Sequence, residues 1–559
     1  MKKLPYGISD YEKLIEENYY YVDKTKYIEK LENLAERYIM FLRPRKFGKT
    51  LFTSVLENYY DINKKDKFEK LFGETYIGKN PSKFRNSYYI LRFNFSEIDT
   101  NGEETTILSF KREVTSSINV FVKRYGLDFY VNENEESEDI LDNLFKAFYI
   151  QKREEKIYVI IDEYDHFANE LLGFRTEEFK NLISKNGKIR KWYEILKKGT
   201  ESVVDRIFIT GVAPITLDSM TSGFNIISDL TRDSRLNEMM GFTKDELIKI
   251  MDSQEIKKEK QEELLPIMKE NYDGYRFSKD VETKLYNSNM CLYFLNYYMS
   301  FGKIPEELVD TNITSDYSKI GNMLRLCRNE NRLYIIEKTL SGEGIATTLV
   351  RQFNPEKSFG ETEMVSMLYY LGYLTIVGED IGDPILKIPN QVIKEIYAEY
   401  FLEVLREDID LDIDVNYNEI SREILKEGKI DKLIELLGEY LSGLSNRDYQ
   451  NFDEKYVKIM LYCIARTTKK FIVKSEFELG RGYSDILLLP KVLNNDYYSV
   501  MIEFKYLKKY EEKKLKEKQE EAKEQIERYS NLEEIKALKN IRKYTVVTVV
   551  DNIYIEEIN

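Results

Sequence analysis

The chain is 559 residues long, with 42 % hydrophobic and 33 % charged residues, a formal net charge of −14, three cysteines and one histidine. At roughly 100–200 residues per domain this predicts about three to five domains, and the composition argues against extended disorder. No stretch reaches the ~18 apolar residues that would span a bilayer, and the start, Met1-Lys2-Lys3-Leu4-Pro5, leads into no apolar signal segment, so the chain reads as soluble and cytosolic.

Cys291, Cys327 and Cys463 are too widely spaced for a zinc knuckle or a disulfide framework and read as isolated buried thiols. His166 would have to carry any Ser–His or Cys–His chemistry alone, which argues against a histidine-relay nuclease. The negative charge opposes non-specific binding to phosphate backbones, although a basic cleft can sit on an acidic body.

Along the chain, four short apolar runs read as buried strands: Tyr38 to Leu42, Tyr88 to Phe95, Ile157 to Ile161 and Arg206 to Thr210. Amphipathic helical stretches separate them, the pattern of a doubly wound parallel sheet. Residues 254–341 read as helical and tyrosine-rich. Between 342 and 412, helices precede a strand at Leu371 to Val377, a Gly/Asp turn and a strand at Ile385 to Asn390; a helix followed by a two-stranded ribbon suggests a winged helix. Asp408 to Val415 is the expected linker. Residues 416–559 have a helix–strand–strand–helix–strand order of their own, and the Lys/Glu-rich run from Leu507 to Arg528 reads as a solvated helix or a nucleic-acid stripe.

Two constellations in the first half carry chemistry. Arg43-Pro44-Arg45-Lys46-Phe47-Gly48-Lys49-Thr50 follows the first strand and precedes Leu51 and a helical pattern. It matches the last three positions of the phosphate loop G-x-x-x-x-G-K-[ST], with Arg43 at the first glycine. Backbone N–H groups of Phe47, Gly48, Lys49, Thr50 and Leu51 would surround phosphates. Lys49 would reach the β- and γ-phosphates, Thr50 would hold Mg²⁺, and Arg43 and Arg45 would serve as extra phosphate ligands. The apolar run ending at Ile161 is followed by Asp162-Glu163. At the carboxyl end of a strand, Asp162 would join the Mg²⁺ shell and Glu163 would orient the attacking water. Thr210, ending the next apolar strand, is a sensor candidate; Asp165 and His166 lie just beyond the acidic pair, and His166 reads as structural.

Near the other end, Ser484-Asp485-Ile486-Leu487-Leu488-Leu489 and Ser499-Val500-Met501-Ile502-Glu503-Phe504-Lys505 read as two strands. Alternation puts Glu503 and Lys505 on one face. In a hairpin, Asp485 would meet Glu503 to form a two-carboxylate site for Mg²⁺ or Mn²⁺, with Lys505 beside it to stabilise a phosphodiester transition state. A solvated acid and lysine on an edge strand is the bland alternative.

The segments Leu4-Pro5-Tyr6-Gly7-Ile8, Tyr21-Val22-Asp23-Lys24-Thr25, Arg43 to Thr50, Ile161 to Asp165 and Phe208 to Ile215 resemble the bacterial AAA-ATPase-like proteins. Gly241-Phe242-Thr243 and Tyr272 to Phe277 continue that resemblance. It implies an ATP-binding fold related to AAA and STAND ATPases, in which arginine at the first loop position is usual. It also implies a C-terminal PD-(D/E)XK nuclease-like domain. There, Gly480-Arg481-Gly482 precede Asp485 as in that group, and Glu454 resembles its helical acid. Glu476 is an alternative acid, and Gln525 and Tyr529 resemble its trailing Q-x-x-x-Y.

The expected architecture is therefore α/β and multidomain. A P-loop ATPase parallel sheet occupies 1–253, a helical region 254–341, a winged-helix-like region 342–412 and a restriction-endonuclease-like α/β domain 416–559. ATP and Mg²⁺, or Mn²⁺ at the nuclease site, are the expected cofactors. Nucleic acid, DNA before RNA, is the expected partner, alongside a second copy of the chain or a protein trigger, and no membrane. The competing expectation is a STAND-like sensor or scaffold that holds ATP and binds through its nuclease-like domain without cutting. An antiphage or mobile-DNA defence role goes with the ATPase–nuclease architecture by association only.

Overall fold

The computed structural model describes residues 2–167, 187–214, 224–309, 329–351, 353, 360–408, 411, 415–443, 454–475, 485–491 and 496–558. The chain divides into two compact units, 1–331 with 346–392, and 332–345 with 393–559.

In the first unit, the apolar runs form β1 (Tyr38–Leu42), β2 (Tyr88–Asn94), β3 (Lys156–Asp162) and β4 (Val204–Gly211), joined by a short β5 (Ser228–Asp229). All pair in parallel, in the order β2-β3-β4-β1-β5. Near-continuous burial along β1, β3 and β4 explains their Ile-, Val- and aromatic-rich composition. Because β4 lies between β1 and β3, the ends of β1 and β3 that carry the phosphate loop and the acidic pair flank one position, the expected ligand crevice of an open α/β sheet.

Helix α1 (Lys49–Tyr60) leaves β1 through the phosphate loop. Helices α2 (Glu103–Tyr125) and α3 (Ser137–Ile150) connect β2 to β3, and α4 (Lys188–Gly199) precedes β4. Trp192 of α4 is fully buried and meets Phe93, Phe95 and Phe110 edge-on at 5.0–5.8 Å, which fastens helices to the β2 side. Helix α5 (Lys244–Ser253) starts at a Thr243/Glu246 capping box, followed by α6 (Lys258–Tyr272) and α7 (Ser288–Phe301).

Further on, α8 (Glu361–Leu371) ends at Gly372, φ +86°, where a Cβ would lie 2.7 Å from the Cβ of Pro44. This turn delays the strand expected from Leu371, so the antiparallel ribbon is β6 (Thr375–Asp380) with β7 (Asp383–Lys387). Among the described residues no helix is long and apolar enough to cross a membrane.

The second unit holds α9 (Tyr417–Glu427), α10 (Asp431–Gly443) and α11 (Glu454–Thr467), then a mixed five-stranded sheet. Its strands are β8 (Phe471–Ser475), β9 (Ile486–Pro490), β10 (Ser499–Leu507), β11 (Ile541–Val549) and β12 (Asn552–Ile558), in the order β12-β11-β10-β9-β8. Only β10 and β11 run parallel, and α12 (Leu515–Ser530) makes the crossover between them. Ile526 and Tyr529 of α12 bury against Leu487 and Met501 of the sheet.

Candidate nucleotide pocket and carboxylate site

The phosphate loop gets its shape from two left-handed residues, Lys46 at φ +67° and Gly48 at φ +92°, the latter capping α1. Such a turn points successive N–H groups toward one place at a helix N-terminus, where anions bind. Lys49 is buried; its Nζ donates to the Pro44 carbonyl at 3.2 Å and lies 3.7 Å from Glu163 Oε1. Glu163 itself sits at φ +54°, an uncommon conformation for a side chain of its size, at the turn leaving β3.

Asp162 is fully buried. The Thr50 hydroxyl lies near enough to its carboxylate to favour the charged form. Oδ2 accepts at 3.4 Å from Thr53 Oγ1 and from Arg92 Nη2, while Oδ1 has no hydrogen-bond partner. Burial, and next the neighbouring Glu163, raise the Asp162 pKa, against Arg92 and Lys49. An unpartnered buried carboxylate oxygen beside a threonine hydroxyl fits the donor set for a nucleotide-bound Mg²⁺.

Arg45, Phe47, Gly48, Lys49, Thr50, Leu51 and Glu163 line a cavity of about 570 Å³, within the usual range for small-ligand sites. Its other walls include Pro5, Gly7, Ile8, Tyr20, Tyr21, Val22, His166, Gly241, Phe242, Ser288 and Leu292. Gly241, φ +85°, donates its N–H to the Phe47 carbonyl at 3.1 Å, and a Cβ there would lie 3.0 Å from the Phe47 ring.

Two residues expected to touch nucleotide are engaged elsewhere. Arg43 is fully buried, and its guanidinium donates to the carbonyls of Leu42 (2.9 Å), Thr231 (2.7 Å), Leu236 and Asn237 (3.3 Å each). The rings of Phe41 and Phe277 cover it at 4.1 Å. It clamps the loop after β5 instead of facing phosphate. Thr210 donates its hydroxyl to the Phe41 carbonyl at 2.9 Å, across the β1–β4 pair. Asp165 is also structural: its carboxylate accepts from the N–H groups of Val212 and Ala213 at 2.7–3.1 Å.

The second site lies on the β9–β10 hairpin. Ile486 pairs with Ile502, so Asp485, just before β9, opposes Glu503 of β10. Asp485 Oδ2 accepts from the Phe504 N–H at 2.7 Å, and Glu503 Oε2 accepts from the Asp485 N–H at 3.3 Å. Both carboxylates are buried. The Lys505 ammonium stands 3.2 Å from Glu503 Oε1. Burial, and next the charge on Asp485, push Glu503 up to about 8 despite Lys505. Two crowded, dry carboxylates with a lysine alongside suit a hard divalent cation.

Glu454 opens α11, and its Oε2 accepts from the Tyr506 N–H at 3.3 Å. Its Oε1 is 2.8 Å from the Lys458 ammonium, which is also 2.6 Å from Asp485 Oδ1. Lys458 therefore bridges Glu454 and Asp485. Among the described residues no group of three or more His, Cys, Asp or Glu side chains is gathered as a metal cluster. Gln525, on α12, has a buried Oε1 without a hydrogen-bond partner, while the Tyr529 ring joins the core and its hydroxyl accepts from Arg528. Glu476, Gly480, Arg481, Gly482, Ser484 and Cys327 lie outside the described residues.

Sequence reading missed Arg92 and Lys458. A charge inside the apolar run of β2 was the available signal for Arg92. For Lys458 it was the four-residue spacing from Glu454.

Residues 5–221 match the family model described as Predicted AAA-ATPase, and residues 452–558 match that of the PD-(D/E)XK nuclease superfamily. A protein of Azotobacter chroococcum mcd 1, described as an uncharacterized protein in the vnfD 5'region, is 27 % identical over 243 residues. The aligned stretch is 43 % of each chain, so this chain spans under half the length of that curated relative. By these matches, residues 5–221 are similar to the predicted AAA-ATPase family and residues 452–558 to the PD-(D/E)XK nuclease superfamily.

Proposed function

We propose that the chain is an ATP-binding and ATP-hydrolysing protein whose second unit cleaves nucleic-acid phosphodiesters, DNA before RNA, under control of the nucleotide. The observation that carries the reading is the burial of Asp485, Glu503 and Lys505 together on one hairpin. Asp485 and Glu503 would hold Mg²⁺ or Mn²⁺. When bound, the cation supplies a water of lowered pKa and neutralises charge on the phosphodiester. Lys505 then orients the attacking water or stabilises the developing negative charge. In the other unit, Lys49 would exchange Glu163 for the terminal phosphates of ATP, which frees Glu163 to orient water. Control of foreign DNA is the biological setting that an ATPase joined to a nuclease suits.

The test incubates the purified protein with single- and double-stranded DNA and RNA, with Mg²⁺ or Mn²⁺, with and without ATP. Lys505→Ala should lose cleavage by at least about a hundredfold, and Lys49→Ala should remove its dependence on ATP. Cleavage by Lys505→Ala at the wild-type rate would assign the activity elsewhere. No cleavage by any protein, with ATP still bound, would favour the sensor or scaffold reading.

A further inference from the structure

We propose that Lys458 is a positioning residue and a built-in competitor of the divalent cation: its ammonium holds Glu454 and Asp485, and must leave Asp485 before a cation is bound there. This rests on the metal-dependent reading above.

Glu454 and Lys458 are four residues apart, on one face of α11. On an open surface such a pair is weak and screened. Here the lysine side chain is only 10 % exposed and its second partner, Asp485, is fully buried. Each of the two lysines has its own carboxylate on the hairpin: Lys505 lies at Glu503 and Lys458 at Asp485. Glu521, on α12, adds negative potential felt by both lysines. A dication approaching Asp485 would meet a like charge 2.6 Å from the oxygen it needs, and like charges at that range repel strongly in a partly dry site.

Glu454 supplies the way out. Its carboxylate is 37 % exposed, against 0 % for Asp485, so the flexible lysine stem can keep Glu454 as partner while releasing Asp485 toward solvent. Glu454 would then act on the cation through Lys458, by receiving its ammonium.

The experiment uses the full-length chain and Mn²⁺ alone as probe, with free Mn²⁺ read by electron paramagnetic resonance and binding by calorimetry. Wild type, Asp485→Asn, Lys458→Met, Lys458→Gln and Lys458→Arg are compared, with circular dichroism to verify folding. The component of Mn²⁺ binding lost in Asp485→Asn reports this site. Lys458→Met and Lys458→Gln should bind that component about tenfold tighter or more, and Lys458→Arg should stay near wild type. Equal or weaker binding in a folded Lys458→Met or Lys458→Gln protein overturns the inference and leaves the metal site standing. A wild-type isotherm unchanged by Asp485→Asn overturns the metal-dependent reading itself, and the inference with it.

Discussion

Arg43 shows how one side chain at a familiar position can serve another purpose. Four carbonyls accept from it in a fully buried place, so burial lowers its pKa to about 9, which still leaves it charged near neutral pH. Arg43→Ala would leave those carbonyls unsatisfied and should lower stability by about 2–4 kcal/mol in chemical denaturation of the first unit. Nucleotide affinity measured on the protein that remains folded should change less. Glu503 makes a second prediction at this scale. Its folded-state pKa is raised to about 8 from 4.5, so its favourable contribution is fully present below about pH 4.5 and is lost as pH rises through about 8. The metal-free second unit should therefore melt at falling temperature between about pH 5 and 8. Mn²⁺ should reverse the trend, and its binding at pH 7 should release protons, seen as a calorimetric heat that varies with buffer ionisation enthalpy.

At the scale of elements, the strand–loop–helix from β1 to α1 was legible because burial on both faces demands an unbroken apolar run, and left-handed turns favour glycine at Gly48. Strands β5 and β8 were missed. The first is two residues long, and the second, Phe471–Ser475, follows an amphipathic helix without a turn signal. The last strand, β12, runs Ile553-Tyr554-Ile555-Glu556-Glu557-Ile558 on an exposed edge, without the alternation or the unbroken apolar run that marks a strand. The Asp485–Glu503 meeting was readable from alternation plus an assumed hairpin. The Lys458 bridge was not, because the sequence does not say which face of α11 turns toward the hairpin. Gly241 belongs to the same scale: its left-handed φ and the nearby Phe47 ring predict that Gly241→Ala loses about 1–3 kcal/mol of local stability. Nucleotide binding should weaken with it, measured by fluorescence titration of an ATP analogue.

At the scale of the whole chain, two compact units with a candidate ligand site in each predict two separable unfolding transitions in calorimetry. ATP with Mg²⁺ should raise the transition lost in Lys49→Ala, and Mn²⁺ alone the one altered by Asp485→Asn, each by binding only its folded unit. A single transition shifted equally by both ligands would contradict this division. The walls of the candidate nucleotide pocket have a different consequence. They join Pro5 and Tyr20 to Gly241 and Leu292, and β1 finds its partner β4 only after residue 204. During synthesis from the N-terminus, the emerging phosphate loop therefore waits for a long stretch of later chain before it is enclosed. In that interval the apolar β1 and β3 strands are open to wrong partners. Folding of the first unit should be slow and chaperone-dependent relative to the second, whose sheet forms from strands close together in sequence.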